Sequence, residues 1–332
     1  MRGIKILGAG MYMPETVASN DWFSTILDTS DEWIYTRTGI RERRISEDKP
    51  NWYMAAEASR AAVADSGIAP EDIDLVLAAT CSPDYFYPAL SCLVQQQVGA
   101  VNAAAFDINS ACTGFINALD TASRFLQDGD YRNILIVASE RLAPHCDYTD
   151  RTASILFGDG AGAAVVTRSD KPMWSYLSAK GDFFNALYCK VDQSRSNCPL
   201  LKPDALPEGI IDTEAKTHTL QMNGKAVYKF AVDAMETAVN KVLERSGLTT
   251  GDIDLFIPHQ ANARIIESAV KGLNLPAEKV YVNLEKHGNT SSACIPTCLA
   301  ELKAESRIKE GMKICLVGFG AGLTSGAIVF EQ

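Results

Sequence analysis

The apolar positions of this chain gather in short unbroken runs separated by amphipathic stretches. Leu75-Val76-Leu77, Ile134-Leu135-Ile136-Val137, Leu255-Phe256-Ile257 and Ile314-Cys315-Leu316-Val317 show no polar alternation. Such runs predict strands covered on both faces, and the helical stretches between them predict a layered α/β protein. One amphipathic helix ends Ala64-Asp65-Ser66-Gly67 and leads into Asp72-Ile73-Asp74-Leu75. Another ends Glu244-Arg245-Ser246-Gly247 and leads into Asp252-Ile253-Asp254-Leu255.

These two segments lie 180 residues apart (72 to 252), and so do the runs at Ile134 and Ile314. One register therefore holds across about sixty residues in each half, more than chance supplies. The chain reads as two duplicated α/β halves, 1–170 and 171–332. The second half contains an irregular stretch, 182–216, with Pro199, Pro203, Pro207 and Gly209 and no steady period. That stretch predicts a long functional loop or small cap, not a separate domain.

Composition narrows the class. With 47% hydrophobic and 22% charged residues the chain is ordinary globular protein. No apolar run approaches the roughly 18–20 residues of a membrane span, and the start, Met1-Arg2-Gly3-Ile4-Lys5-Ile6-Leu7, lacks the features of a signal peptide. The expectation is a cytoplasmic protein without a membrane partner. Nine cysteines, an odd number with no CxxC pair, predict mostly buried reduced thiols. With four histidines, His145, His218, His259 and His287, the chain offers no metal-ligand cluster. A net charge of −10 argues against nucleic acid, although Arg37, Arg41, Arg43 and Arg44 make a local basic patch. Gly8-Ala9-Gly10 opens like a dinucleotide fingerprint, but Met13-Pro14 replaces the third glycine and no helix begins there.

Candidate chemistry sits at corresponding places in the two halves. Asn289-Thr290-Ser291-Ser292 falls on Asn109-Ser110-Ala111-Cys112 in the repeat frame, and each segment precedes a predicted helix. A thiol at a helix N-terminus meets unpaired N–H groups, which lower its pKa toward the thiolate. That position singles out Cys112, whereas the other eight cysteines read as structural. His259 follows the strand Leu255–Ile257 directly, and functional groups of α/β folds gather at carboxyl ends of strands. For a lone histidine a structural role is the alternative, and His287 is read that way. Phe157-Gly158-Asp159-Gly160-Ala161-Gly162-Ala163 and Phe319-Gly320-Ala321-Gly322 read as sharp turns between strands. The second of these could also present a backbone N–H to an oxyanion.

Several of these segments resemble β-ketoacyl-acyl-carrier-protein synthase III. Ser110-Ala111-Cys112-Thr113-Gly114-Phe115 is similar to the family's nucleophile segment. Pro258-His259-Gln260-Ala261-Asn262-Ala263-Arg264 resembles its histidine segment, and His287-Gly288-Asn289-Thr290-Ser291 its asparagine segment. Thr29–Ile40 and Thr149-Asp150-Arg151 are similar to its coenzyme A contacts. The resemblance implies a thiolase-like fold with α-β-α-β-α layers and a Cys112–His259–Asn289 set. It also implies that Cys112 takes an acyl group from acyl-CoA, and that malonyl-acyl-carrier protein loses CO₂ and attacks the thioester. His259 and Asn289 would donate to the developing enolate, and the N–H groups of Cys112 and Ala321 to the oxyanion. Trp33, Arg37, Arg151 and Asn262 would hold coenzyme A, a substrate and not a resident cofactor. Gln260, Ala261, Asn262, Ala263 and Arg264 would meet the carrier protein. Tyr87, Asn223 and Phe319 would line the acyl pocket, with Tyr87 crossing into the partner of a homodimer.

The chain departs from the family in Ala321, where a second glycine is common, and in a longer loop near 185–218. Competing readings are a secondary-metabolic relative with an unusual starter or acceptor, and a non-catalytic synthase subunit. Hydroxymethylglutaryl-CoA formation would need an acidic base near the thiol, for which Glu140 is the nearest candidate.

Overall fold

The computed structural model describes residues 3–127, 129–181, 186–191 and 218–332, so the 182–216 stretch lies almost wholly outside the described residues. The unbroken apolar runs form two twisted sheets. The first has the order Ile4–Tyr12, Gly160–Arg168, Asn133–Glu140, Leu75–Ala79, Ala104–Ile108. The second runs Leu255–Pro258, Lys313–Gly320, Thr324–Glu331, Met173–Ala179.

Side chains that alternate along each strand divide among three apolar layers. Leu75, Leu77, Ile134 and Ile136 face inward with Ile314, Leu316 and the central helices Gly114–Phe125 and Cys294–Ala304. Val76, Ala78, Leu135 and Val137 face the other way, under Asn51–Ser66 and Leu90–Val98. Phe256, Cys315 and Val317 pack beneath Gly224–Ser246 and Ala263–Gly272. This is the α-β-α-β-α layering, and it explains why the strands carry no polar alternation: both faces are dry.

The 180-residue spacing persists in detail. Gly67 and Gly247 both cap helices at φ 71°. Asp74 accepts the N–H of Asn133 at 2.9 Å, and Asp254 accepts that of Lys313 at 2.8 Å. The short helical turns Ala111–Thr113 and Ser291–Ala293 correspond as well. The halves differ at one edge. Ala104–Ile108 is a strand, but its counterpart is the helical turn Leu284–His287, which carries the chain toward Asn289.

Candidate active site

The two short turns meet where the carboxyl ends of both sheets converge. Ala111 and Ser291 both adopt left-handed backbone, at φ 44° and φ 51°. Side chains rarely tolerate that conformation outside sites that over-determine it. Here Asn109 Oδ1 accepts the Ala111 N–H at 3.4 Å, and Asn289 Oδ1 accepts the Ser291 N–H at 2.8 Å. The bend before Cys112 turns its thiol into the space between the halves. Gly320 lies so close that a Cβ there would stand 2.8 Å from the Cys112 backbone nitrogen, so only glycine leaves that amide in place.

Cys112, His259 and Asn289 line one narrow cavity of about 120 Å³, with Phe157, Phe230 and Phe319 among its apolar walls. His259 is buried, and its Nδ1 lies 2.8 Å from Cys294 Sγ, leaving Nε2 as the free ring nitrogen. Burial pushes its pKa down to about 3, so the ring is neutral near pH 7. Asn289 has spent its Oδ1 on Ser291, and its NH₂ end remains as a donor. The Phe319 ring stands edge-on to His259 with centroids 5.2 Å apart.

The thiol does not behave as its helix-start position suggests. Burial pushes Cys112 up to about 12, and the Glu140 charge pushes the same way, opposed by the hydrogen bond from Ser291. Cys112 also borders a second, larger cavity of about 1030 Å³, which is lined by Leu142, Leu187, Leu220, Ala321 and the loop Pro83–Tyr87. Its rim holds Tyr85, Phe86 and Tyr87, the last two 85% and 86% exposed. His145 and His218 line this cavity too, with His145 Nδ1 3.1 Å from the His218 carbonyl.

Other sequence candidates divide by exposure. The Arg37 and Arg151 guanidinium carbons lie 4.3 and 4.4 Å from the Trp33 ring centroid. Arg151 thus rests on the indole itself. Asn262 caps Ala263–Gly272 and donates to the Arg37 carbonyl at 3.0 Å, tying this group to the histidine loop. Arg264 is exposed and donates to the Thr36 carbonyl at 3.0 Å. Gln260 and Ala261 are buried, so they cannot face a protein partner. Gln260 instead accepts the N–H of Asn283 at 3.0 Å and braces the segment leading to Asn289. Asn223 is exposed and caps Gly224–Ser246 by accepting the Ala226 N–H at 3.2 Å, so Met222 and Gly224 border the cavity and Asn223 does not. The basic patch also shrinks. Arg43 is fully buried over Phe23, hydrogen-bonded to the Ile155 carbonyl and Asn20, with burial lowering its pKa to about 9.

Two neighbours of the site escaped sequence reasoning, Cys294 against His259 and Ser291 against Cys112, while Glu140, the nearest acidic candidate in the sequence, stands behind Ser291. The 180-residue frame could have flagged both, since Ser291 falls on Ala111 and Cys294 on Gly114.

Known proteins with this architecture are numerous. The family described as 3-oxoacyl-[acyl-carrier-protein (ACP)] synthase III matches residues 106–181, and its C-terminal part matches residues 243–332. A β-ketoacyl-[acyl-carrier-protein] synthase III of Clostridium acetobutylicum is 44% identical over 333 residues, covering 100% of this chain and 99% of the relative. One from Caldanaerobacter subterraneus is 46% identical over 330 residues, covering 98% of this chain and 97% of the relative. The crystal structure of the Aquifex aeolicus 3-oxoacyl-[acyl-carrier-protein] synthase III superposes with a TM-score of 0.89 at 40% identity, covering 99% of this chain and 100% of that one. Similarity of this extent, spanning both halves and the convergence of Cys112, His259 and Asn289, makes the chain a member of the β-ketoacyl-acyl-carrier-protein synthase III family of thiolase-fold condensing enzymes.

Proposed function

We propose that this enzyme joins an acyl-CoA starter to malonyl-acyl-carrier protein with loss of CO₂, giving a 3-oxoacyl-acyl-carrier protein at the start of fatty acid synthesis. The observation that carries the reading is the convergence of one thiol and two neutral donors on one cavity. Residues 1–170 contribute the nucleophile and 171–332 the donors. Cys112 accepts the acyl group. His259 Nε2–H and the Asn289 amide donate to the malonyl thioester oxygen as CO₂ leaves, and a positioned donor of this kind contributes about 3 kcal/mol. The N–H groups of Cys112 and Ala321 hold the oxyanion that follows.

The narrow cavity suits the thin arm of coenzyme A, which arrives as substrate past Trp33, Arg37, Arg151 and Asn262. The larger cavity beyond Cys112 takes the acyl chain. Arg264, flanked by Asn262 and Ala263, is positioned to meet an acidic carrier protein. A homodimer is supported by the exposed Tyr85-Phe86-Tyr87 rim and by the open sheet edge Ala104–Ile108, where Phe106 is also exposed. Eight cysteines among the described residues are unpaired thiols, which supports a reducing, cytoplasmic setting. No helix among the described residues is long and apolar enough to cross a membrane.

Intact-mass measurement after mixing with acyl-CoA tests the assignment. Wild type gains one acyl group that maps to Cys112, and Cys112→Ala gains none. Acylation elsewhere, or CO₂ release that ignores Cys112, refutes it.

A further inference from the structure

Glu140 ends the strand Asn133–Glu140 with a fully buried side chain that the reaction above leaves without a task. Ser82 Oγ and Ser292 Oγ each donate to it at 2.6 Å, and the Cys81 N–H donates at 3.1 Å. The Thr80 hydroxyl and the Cys81 thiol lie 3.3 and 3.4 Å from Oε2. Ser291 Oγ stands between this carboxylate and the nucleophile, 3.4 Å from Glu140 Oε1 and 3.3 Å from Cys112 Sγ. The hydroxyl has one proton for two acceptors, and it can accept from the thiol while donating to the carboxylate.

Neutral His259 points its free nitrogen at the cavity, and its other nitrogen is occupied by Cys294. The thiol proton therefore needs another destination. We propose that Glu140, acting through Ser291, takes the Cys112 proton during acylation and holds it in the acyl-enzyme until the thiol re-forms. The inference rests on the condensing reaction proposed above.

The atoms balance over both half-reactions. In the first, the thiol proton passes to Ser291 Oγ as the seryl proton passes to Glu140 Oε1. Sulfur bonds to the acyl carbon, the bond from that carbon to coenzyme A breaks, and the departing thiolate takes a proton from solvent. In the second, the malonyl group loses CO₂ and its carbanion bonds to the acyl carbon. The bond to Cys112 Sγ breaks, and the freed thiolate recovers its proton from Glu140 by the reverse relay. One proton is consumed per turnover, the one carried off by coenzyme A, as the overall reaction requires.

Electrostatics favours sharing a single proton. Burial raises both Glu140 and Cys112, and the carboxylate charge raises the thiol further, so two simultaneous anions are disfavoured. Cys81 from the first half also faces the pair, itself pushed well up by burial and by Glu140. From the second half, Cys294 and His259 stand behind Cys112, and burial keeps both uncharged near neutral pH.

Glu140→Gln keeps the shape of the side chain and removes the group that can be protonated, and Ser291→Ala breaks the relay while the carboxylate keeps its 2.6 Å partners Ser82 and Ser292. With acetyl-, butyryl- and isobutyryl-CoA as probes, each variant acylates about a hundredfold more slowly at neutral pH. Its rate then climbs with pH as solvent takes over the proton. A carboxylate that acted only as a neighbouring charge gives the opposite result for Glu140→Gln, because its removal makes the thiol more acidic and acylation faster. In the wild-type enzyme, infrared difference spectra on acylation show a protonated carboxylic acid band that is absent from Glu140→Gln. Wild type that forms no acyl-Cys112 sinks the condensing reading and the relay together. An acyl-enzyme formed without the band, or a Glu140→Gln variant as fast as wild type at every pH, overturns the relay alone.

Discussion

Cys294→Ala removes the group that fixes His259. In the native structure Cys294 Sγ lies 2.8 Å from His259 Nδ1 and accepts the Gln260 N–H at 3.3 Å. With an N–H already directed at the sulfur, the thiol proton is free to point at Nδ1, and the ring proton is then held on Nε2. Alanine orphans two buried polar groups at once. Each costs roughly 1–3 kcal/mol, and sulfur is a weak partner, so the sum falls near the low end, about 2–4 kcal/mol. For a chain of this size that lowers the melting temperature by about 3–6 °C. The ring also loses its orienting contact, and a loss of about 1.4 kcal/mol of transition-state stabilisation is tenfold in rate. Differential scanning calorimetry reads the first effect, and CO₂ release by pre-acylated enzyme given malonyl-carrier protein reads the second. Cys294→Ser, which keeps both hydrogen bonds, should restore most of each. An alanine variant with wild-type melting and wild-type CO₂ release refutes the reasoning, as does a serine variant that loses as much as alanine.

Asn289→Ala should slow decarboxylation a hundredfold or more, about 3 kcal/mol, while changing acylation of Cys112 far less. Equal losses in both half-reactions would mean that Asn289 only braces the Ser291 turn. His259 is held well below its ordinary value of 6.5, at about 3, so it favours the native state above pH 6.5 and that contribution is lost as pH falls toward 3. His259→Gln should flatten the acid limb of the stability curve by up to about 5 kcal/mol, measured by urea titration at several pH values, and an unchanged limb counts against the neutral ring. Tyr87→Ala should leave a dimer in sedimentation yet shift acylation toward longer or branched acyl-CoA, and a fully active monomer would contradict the proposed interface.

The layered fold was legible because both faces of its strands are apolar, which leaves a direct mark on the sequence in runs such as Ile134–Val137. The duplication was legible because backbone devices, the glycine caps and the Asp74 and Asp254 contacts, need the same residue types at the same spacing. Site residues at the starts of helices and ends of strands could be found for the same reason. Tertiary contacts around the thiol left no such mark. Ser291 meets Glu140 across 151 residues, and Cys294 reads as one more apolar cysteine until His259 is placed against it. Arg43 looked like surface charge among Arg41 and Arg44, but strand alternation in Glu42–Ile45 turns it inward. The helix start predicts a lowered Cys112 pKa, whereas burial and the Glu140 charge, invisible in the sequence around the thiol, push it up.

A chain descended from two identical halves would once have carried every central group twice. Here the scaffold positions remain twinned while the central ones have diverged: Cys112 corresponds to Ser292, Glu140 to Gly320, Gly114 to Cys294 and Ala79 to His259. The divergence is complementary. Glu140 fills the space beside Ser292 with a carboxylate, at 2.6 Å from its hydroxyl, whereas Gly320 keeps the corresponding space beside Cys112 bare. Copying Glu140 onto position 320 would place a carboxylate against the nucleophile's backbone, and copying Ser292 onto position 112 would erase the nucleophile itself. The catalytic centre therefore depends on the two halves differing at these few positions.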